Sequence, residues 1–243
     1  MNGIILAAGR GSRMGTLTGD QPKCFTELGG KRLIDWQLSA LAAAGVQTTA
    51  IVTGYRAEAF AGLADVHFHN PNWANTQMVQ SMLAAEAWLT AGPCVVSYAD
   101  IVYEPDAILG LKSSAEDIAI TYHTGWRALW EARFADPLSD AETFRLTPTG
   151  LLQEIGKRAA SLDDIEGQYM GLLKLTPTGY AVIRRFISTL PPERQARLDV
   201  TSLLSGLLEA GQPIGAVAVS SRWYEVDTES DWRLYTGLVA RGA

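Results

Sequence analysis

A glycine-rich stretch near the beginning of the sequence carries cations that could bind phosphate. It reads Leu6-Ala7-Ala8-Gly9-Arg10-Gly11-Ser12-Arg13-Met14-Gly15, and Pro22-Lys23 follows six residues later. Glycine lets backbone N–H groups approach an anion closely, and Arg13 and Lys23 could direct positive charge at a triphosphate. The stretch lacks the Gly-Lys-Ser/Thr end of a Walker A loop and the glycine spacing of a dinucleotide-binding loop. A tight turn with surface cations is the alternative.

Two aspartates follow short extended segments far apart in the sequence. Asp100 ends the run Ser97-Tyr98-Ala99-Asp100, and Asp227 lies within Glu225-Val226-Asp227-Thr228. The carboxyl edge of an open parallel sheet is where ligands bind. Two carboxylates, completed by phosphate oxygens and water, suit a hard divalent cation such as Mg²⁺. Asp100 also precedes Glu104-Pro105, and Asp227 precedes the last predicted helix, so a role as helix N-cap is the alternative for each.

Aromatic side chains and carboxylates accompany each other in the second half of the chain. They are Tyr103, Trp126, Trp130, Tyr169 and Trp223, with Glu131, Asp136 and Asp140. Aromatic faces beside carboxylates suit a cationic head group, such as an amine or a quaternary ammonium. Core aromatic residues next to a solvated acidic loop are the alternative.

The segments that must position these residues alternate between strand-like and helix-like patterns. Strands are predicted at 3–8, 48–53, 66–69, 93–99, 117–122, 169–175 and 214–219, and helices at 33–44, 55–63, 76–89, 177–190, 200–210 and from 230 onwards. A β-hairpin is predicted at 142–155 around Thr147-Pro148-Thr149-Gly150. This pattern predicts an α/β, Rossmann-like, mostly parallel sheet with helices on both faces and a small β-hairpin insertion. No linker divides the chain, so a single domain over 1–243 is expected.

Composition excludes several classes of function. The 243 residues are 47% hydrophobic and 19% charged, with a net charge of −6 and no cluster of lysine and arginine, so no nucleic-acid partner is expected. The three histidines and two cysteines match no zinc or nucleophile spacing. With neither a signal peptide nor a membrane-length apolar run, the expectation is a cytoplasmic protein that is a monomer or homodimer.

The stretch at 6–23 resembles the signature of the nucleotidyltransferase superfamily, which includes sugar-1-phosphate nucleotidylyltransferases and phosphocholine cytidylyltransferases. The resemblance extends over most of the chain, and the layout is most similar to phosphocholine and phosphonate cytidylyltransferases. It implies transfer of a nucleotidyl group, CMP from CTP, to a small acceptor such as phosphocholine or 2-aminoethylphosphonate, with release of pyrophosphate. It also implies Mg²⁺ as the cofactor.

The resemblance assigns roles to individual residues of this sequence. Arg13, Lys23 and Asp100 are the expected catalytic residues, and Asp100 and Asp227 the expected Mg²⁺ ligands. The nucleotide is expected to contact Leu6, Ala8, Gly9, Gly11, Ser12, Arg13, Lys23, Gln77 and Ser81. Gln77 stands where the family more often has asparagine, and a capped helix with a solvated Gln77 is the alternative there. The acceptor is expected to contact Lys157, Glu166, Tyr103, Trp126, Trp130 and Tyr169.

Two other functions remain open from the sequence. A sugar-1-phosphate nucleotidylyltransferase using UTP, dTTP or CTP would be expected to have a neutral polar acceptor pocket. A catalytically silent nucleotide-binding regulatory domain would be expected to lack the cations or the metal carboxylates. Arg13, Lys23, Asp100 and Asp227 are all present, which argues against the silent domain.

Overall fold

The computed structural model describes residues 1–11, 14–15 and 18–241. Within these residues the strands are β1 (Asn2–Ala7), β2 (Glu27–Leu28), β3 (Lys31–Arg32), β4 (Thr49–Thr53), β5 (Val66–His69), β6 (Cys94–Tyr98), β7 (Ile101–Tyr103), β8 (Ile118–His123), β9 (Glu142–Leu146), β10 (Leu152–Arg158), β11 (Gln168–Leu175), β12 (Gly215–Val219) and β13 (Trp223–Glu225). The helices are α1 (Leu33–Ala43), α2 (Met78–Leu83), α3 (Glu86–Ala91), α4 (Pro105–Ser113), α5 (Trp126–Arg133), α6 (Pro177–Ser188), α7 (Pro192–Ala196), α8 (Val200–Glu209) and α9 (Glu229–Ala240).

A seven-stranded sheet forms the centre of the molecule, in the order β12-β8-β11-β6-β1-β4-β5. Strand β11 runs antiparallel to its neighbours β6 and β8, and the other pairings are parallel. The predicted mostly parallel α/β fold is therefore confirmed. The carboxyl ends of β1, β4, β6 and β8 lie at one edge of this sheet.

The central strands are buried on both faces, which explains their nearly continuous apolar sequences. Ile4 and Ile5 are neighbours in β1 and point to opposite faces, yet both are 0% exposed. Val95 and Val96 repeat this arrangement in β6. Parallel strands read this way because layers cover both faces of the sheet.

The predicted hairpin is present as the two-stranded sheet of β9 and β10. Its turn ends at Gly150, whose φ of +81° lies in the left-handed region that favours glycine. Helix α8 packs against β10. The hairpin thus lies beside the central sheet, and Glu142, the first residue of β9, lines a cavity.

The helical pattern over 76–89 proves to be two helices, so the prediction of one continuous helix is wrong. Tight i→i+3 bonds interrupt it, from Ala85 N to Met82 O and from Trp88 N to Ala85 O. Helices α4 and α5 were not predicted. Pro105 at the first position of α4 and the four-residue spacing of Trp126 and Trp130 are their sequence signals.

A second, smaller hydrophobic cluster holds the last helix against the site edge of the sheet. Its buried residues are Met14, Leu28, Leu33, Val102, Tyr224, Val226 and Tyr235. Tyr224 and Tyr235 stack with ring centroids 4.4 Å apart. Because these contacts join β13 to α9, they fix the segment that contains Asp227. No helix among the described residues combines the length and apolar character needed to cross a membrane.

Candidate active site

Two strand pairings bring the distant aspartates together. Leu6 of β1 is in register with Tyr98 of β6, so the residues after both strands lie at the same edge. Strand β13 pairs antiparallel with β7, opposing Glu225 to Ile101. The backbone N–H of Val226 then donates to Asp100 O at 2.9 Å. Asp100 and Asp227 therefore meet despite their separation in sequence.

Lys23 lies between these two carboxylates. Its Nζ donates to Asp100 Oδ2 at 2.7 Å and to Asp227 Oδ1 at 2.5 Å, and its side chain is only 10% exposed. Burial by itself lowers the pKa of Lys23. The charges and hydrogen bonds of the two aspartates outweigh that effect, so the pKa is raised above its ordinary value. The lysine is held as a cation at the edge of the sheet.

Gly11 leaves room for the Lys23 side chain. A Cβ at position 11 would lie 2.4 Å from Lys23 Cβ, and the φ of Gly11 is +71°. Both observations require glycine there. The predicted nucleotide-binding residues Ser12 and Arg13 lie outside the described residues.

Neither aspartate caps a helix. The N-cap of α4 is Glu104, and the N-cap of α9 is Thr228, which forms a capping box with Asp231. The capping alternative is thereby excluded for Asp100 and Asp227. Asp100 Oδ1 is buried and accepts no hydrogen bond within the described part of the chain. An orphaned carboxylate oxygen beside a second carboxylate is a donor set that fits a hard cation.

The predicted base and ribose contacts lie along the same edge. Leu6 and Ala8 are buried, Gly9 is exposed, and Ala8 O accepts from the N–H of Tyr55 at 2.9 Å. Gly54 permits this close approach, since a Cβ there would lie 2.7 Å from Ala8 O. Backbone rather than side chains thus shapes this side of the site.

Gln77 and Ser81 stand at the start of α2. Gln77 is the exposed N-cap residue and makes no side-chain capping bond, so its amide remains available. Ser81 is buried, and its Oγ accepts from Asn70 Nδ2 at 3.1 Å. The alternative in which Thr76 or Asn75 caps this helix is not what the structure has.

A cavity of about 210 Å³ includes Asp227 in its lining. Its lining includes the carboxylates Asp140, Glu142, Asp199, Glu225 and Asp227, and the aromatic residues Tyr98, Trp130, Phe144 and Tyr169. No lysine or arginine is among the described residues that line it. The cavity is therefore suited to a positively charged group.

The predicted acceptor residues divide between this cavity and other places. Trp130 and Tyr169 line it. Tyr103 and Trp126 are 2% and 4% exposed, belong to the hydrophobic core and do not line it. Tyr103 and Trp126 are therefore core residues, which was the alternative interpretation, because their side chains pack against strands and helices instead of open space. Trp223, also suggested by its type, is a core residue that donates from Nε1 to Met170 O.

The predicted contacts Lys157 and Glu166 are exposed and lie outside the cavity lining. Lys157 Nζ is 3.9 Å from Glu154, its neighbour on β10. Glu166 accepts from the N–H of Leu146 at 2.8 Å. Both belong to the hairpin region, at whose inner side Ile155 and Thr143 reach the cavity.

A buried arginine network supports the Asp227 segment and was not predicted. Arg133 is 2% exposed; its Nε donates to Asp231 Oδ1 at 2.9 Å and its Nη1 to Glu225 at 3.3 Å. Asp231 in turn accepts from the N–H of Asp227 at 3.1 Å. Burial, followed by the charges of Asp227 and Asp100, raises the pKa of Glu225 to about 8. The signal for Glu225 was its position two residues before Asp227, on the same face of an extended segment.

A mostly parallel sheet whose carboxyl edge presents a glycine-bordered lysine and two carboxylates is the arrangement that the resemblance to nucleotidyltransferases implies. The chain belongs to the MobA-like NTP transferase domain family, whose model matches residues 3–163. The predicted resemblance to nucleotidyltransferases is confirmed.

Individual relatives match over different lengths. CTP:phosphoglutamine cytidylyltransferase from Campylobacter jejuni is 36% identical, over 95% of this chain and 97% of that protein. The 2-aminoethylphosphonate cytidylyltransferase of Lancefieldella rimae is 33% identical over 46% of this chain and 48% of its own length. The solved inositol-1-phosphate CTP transferase from T. maritima superposes with a TM-score of 0.76 at 19% identity, covering 97% of this chain and 94% of that one. This structural likeness shows the shared fold.

Proposed function

We propose that this chain transfers CMP from CTP to a small acceptor that bears a phosphate or phosphonate and a cationic nitrogen, with Mg²⁺ as cofactor. The observation that carries the proposal is the acid-rich, aromatic cavity lined in part by Asp227, the aspartate that shares Lys23 with Asp100. The relatives from C. jejuni and L. rimae are cytidylyltransferases by name. Glutamine and 2-aminoethylphosphonate each contain an amino group.

The reaction joins an anionic oxygen to a phosphorus that is surrounded by negative charge. An acceptor phosphate oxygen attacks the α-phosphorus of CTP, a new P–O bond forms, and the bond to the bridging oxygen breaks as pyrophosphate leaves. The nucleophile carries no proton that must be removed, so no general base is required. Catalysis then depends on alignment and on stabilisation of the charge that passes to pyrophosphate. Lys23, which lies between Asp100 and Asp227, is placed to supply that stabilisation.

Asp100 and Asp227 are the residues that would hold Mg²⁺. When bound, the ion supplies neutralisation of the phosphate charges at this edge of the sheet. No group of three or more potential metal-binding side chains occurs in the described ranges. Two carboxylates suit Mg²⁺ nevertheless, since it is usually held by one or two carboxylates together with substrate phosphates and water.

The cavity favours an amine over a sugar as the second substrate. An uncharged sugar would require neutral hydrogen-bonding side chains, whereas five carboxylates line this space. A cation entering it would gain electrostatic attraction that a hydroxyl group would not. The assembled Lys23, Asp100 and Asp227 also argue against a silent regulatory domain.

A pyrophosphate-release assay tests the proposal. The purified protein is supplied with each of the four NTPs against phosphocholine, 2-aminoethylphosphonate, phosphoglutamine and glucose 1-phosphate. CTP with one of the amine-bearing acceptors is expected to give the highest kcat/KM, with loss of activity in EDTA and recovery in excess Mg²⁺. Equal or better use of glucose 1-phosphate would reject the amine acceptor. Absence of pyrophosphate with every pair would favour the regulatory domain.

A further inference from the structure

The carboxylates that line the cavity differ in whether other groups of the protein donate hydrogen bonds to them or pair with their charge. Asp199 is the N-cap of α8 and accepts from Ser202 N at 2.7 Å, from Ser202 Oγ at 3.0 Å and from Thr201 Oγ1 at 3.1 Å. Asp140 accepts from Trp130 Nε1 at 3.1 Å. These two acids have structural donors and hold a helix terminus and a side chain in place.

Two further acids of the lining are paired with cations. Glu225 lies 3.3 Å from Arg133 Nη1, and Asp227 lies 2.5 Å from Lys23 Nζ. Glu142 is the remaining acid of the lining. Across residues 1–11, 14–15 and 18–241, no hydrogen-bond donor or cation contacts its carboxylate, although its backbone carbonyl accepts from Gln168 Nε2 at 2.8 Å.

The surroundings of Glu142 make an unpaired charge unfavourable. The residue begins β9, is partly buried, and shares the cavity with Asp140 and Asp199. Burial first, and then the charges of Asp199 and Asp140, raise the pKa of the Glu142 carboxyl above its ordinary value. A partly buried carboxylate beside two others is costly unless a cation is brought to it.

The aromatic lining is less available for this cation than the residue types alone suggest. The Trp130 ring stacks on Trp223 at a centroid distance of 5.7 Å, and the Arg133 guanidinium lies 4.8 Å from its centroid. Trp130 already makes a cation–π contact with a protein side chain. For a substrate cation in this cavity, Glu142 therefore offers a carboxylate without a partner among the described residues, whereas the Trp130 ring already contacts Trp223 and Arg133.

We infer that Glu142 is the specificity-determining residue that binds the ammonium group of the acceptor substrate. The inference rests on the proposed function, because it concerns the second substrate of that reaction. The other four acids of the lining have structural or metal-binding roles. Glu142 then distinguishes a cationic acceptor from an uncharged acceptor of the same shape.

A pair of isosteric acceptors tests this role. In 2-aminoethylphosphonate an ammonium group takes the place of the terminal methyl group of propylphosphonate, so the two differ in charge with little change of size. The wild-type protein is expected to prefer the amine in kcat/KM with CTP. In Glu142→Gln this preference is expected to fall about tenfold or more, since the amide keeps the shape but not the charge. Use of propylphosphonate should remain nearly unchanged.

Two further variants complete the experiment. Glu116→Gln is the matched control, because Glu116 is also partly buried but precedes β8 at the opposite end of the sheet, outside the cavity. It should keep the wild-type preference. Glu142→Asp should restore part of the preference that Glu142→Gln loses. The ratio of the two kcat/KM values is independent of the fraction of active protein, so partial misfolding does not obscure it.

The outcomes separate this inference from the proposed function. If the wild-type protein prefers the amine and Glu142→Gln keeps that preference, the role of Glu142 is rejected while the cytidylyltransferase function stands. The same holds if Glu142→Gln loses equal activity toward both acceptors. If the wild-type protein uses glucose 1-phosphate as well as any amine, the proposed amine acceptor itself is rejected.

Discussion

Lys23 combines burial with two short ion pairs, an arrangement that is costly to build around a residue without a function. We expect Lys23→Met to lower kcat/KM with CTP by about 100-fold or more, since it removes an electrostatic contact to the leaving phosphates. Lys31→Met is the matched control, because Lys31 donates to Ser39 on the exposed surface of β3 and α1. Circular dichroism would establish that both variants are folded. Near-wild-type turnover by Lys23→Met would contradict the role.

Replacement of Asp100 is expected to change the Mg²⁺ concentration that activity requires, and to leave the fold intact. Asp100→Asn keeps the shape of the side chain but removes its charge, so the Mg²⁺ concentration for half-maximal activity should rise about tenfold or more. Asp163→Asn, on an exposed turn of the hairpin region, should leave it unchanged. A titration of activity with MgCl₂ at saturating CTP measures this. An unchanged midpoint in Asp100→Asn would remove Asp100 from the metal site.

The two cysteines should be inert in the folded protein. Both are buried, and burial raises the pKa of Cys24 to about 12 and that of Cys94 to about 11. Because the thiolate is the reactive form, almost none is present at pH 8. We expect a disulfide reagent such as DTNB to modify neither in the native state and both in guanidinium chloride. Rapid release of one equivalent from native protein would disprove this.

Helix α5 joins the acceptor cavity to the Asp227 segment, and Arg133 at its end makes that connection. Arg133→Met would leave Asp231 and Glu225 buried without their cation, at a cost of about 3–5 kcal/mol in the free energy of unfolding. Arg127→Met on the same helix is the control. Its side chain is 55% exposed and pairs with Glu131, so the cost should be about 0.5 kcal/mol or less. Urea denaturation distinguishes the two, and equal midpoints would refute the network.

The hairpin and the central strands have strong local signals and were predicted, whereas a strand that depends on a distant partner was not. The turn Thr147-Pro148-Thr149-Gly150 specifies the β9–β10 hairpin, and nearly continuous apolar runs specify the central strands. Strand β7 has three residues and exists because β13 pairs with it. Trp126 and Trp130 have helical spacing, but the same spacing is compatible with residues that line a pocket. Only the packed structure shows that Trp126 is in the core and Trp130 at the cavity.

At the scale of the whole molecule, the site is assembled from segments that only the fold can bring together. Lys23 pairs with residues 77 and 204 positions away. The sequence motif indicated each residue separately, through the resemblance to a family. It could not indicate that the lysine lies between the aspartates, or that the Glu142 carboxylate has no partner among the described residues, because both facts depend on side-chain geometry in the assembled site.

The ammonium of Lys23 places a positive charge between the carboxylates of Asp100 and Asp227, the two residues that would hold Mg²⁺. We expect free Mg²⁺ to compete with this tethered charge for the two carboxylates, whereas Mg²⁺ arriving with CTP brings phosphates that can draw the lysine away. Thermal shift measures the consequence. Mg²⁺ alone should leave Tm unchanged, and Mg²⁺ with CTP should raise it through ligand binding to the native state. In Lys23→Met, Mg²⁺ alone should raise Tm. If Mg²⁺ alone does not raise the Tm of Lys23→Met, the lysine does not compete with the ion. If Mg²⁺ alone does raise it, nucleotide and ion enter the site of the wild-type protein together.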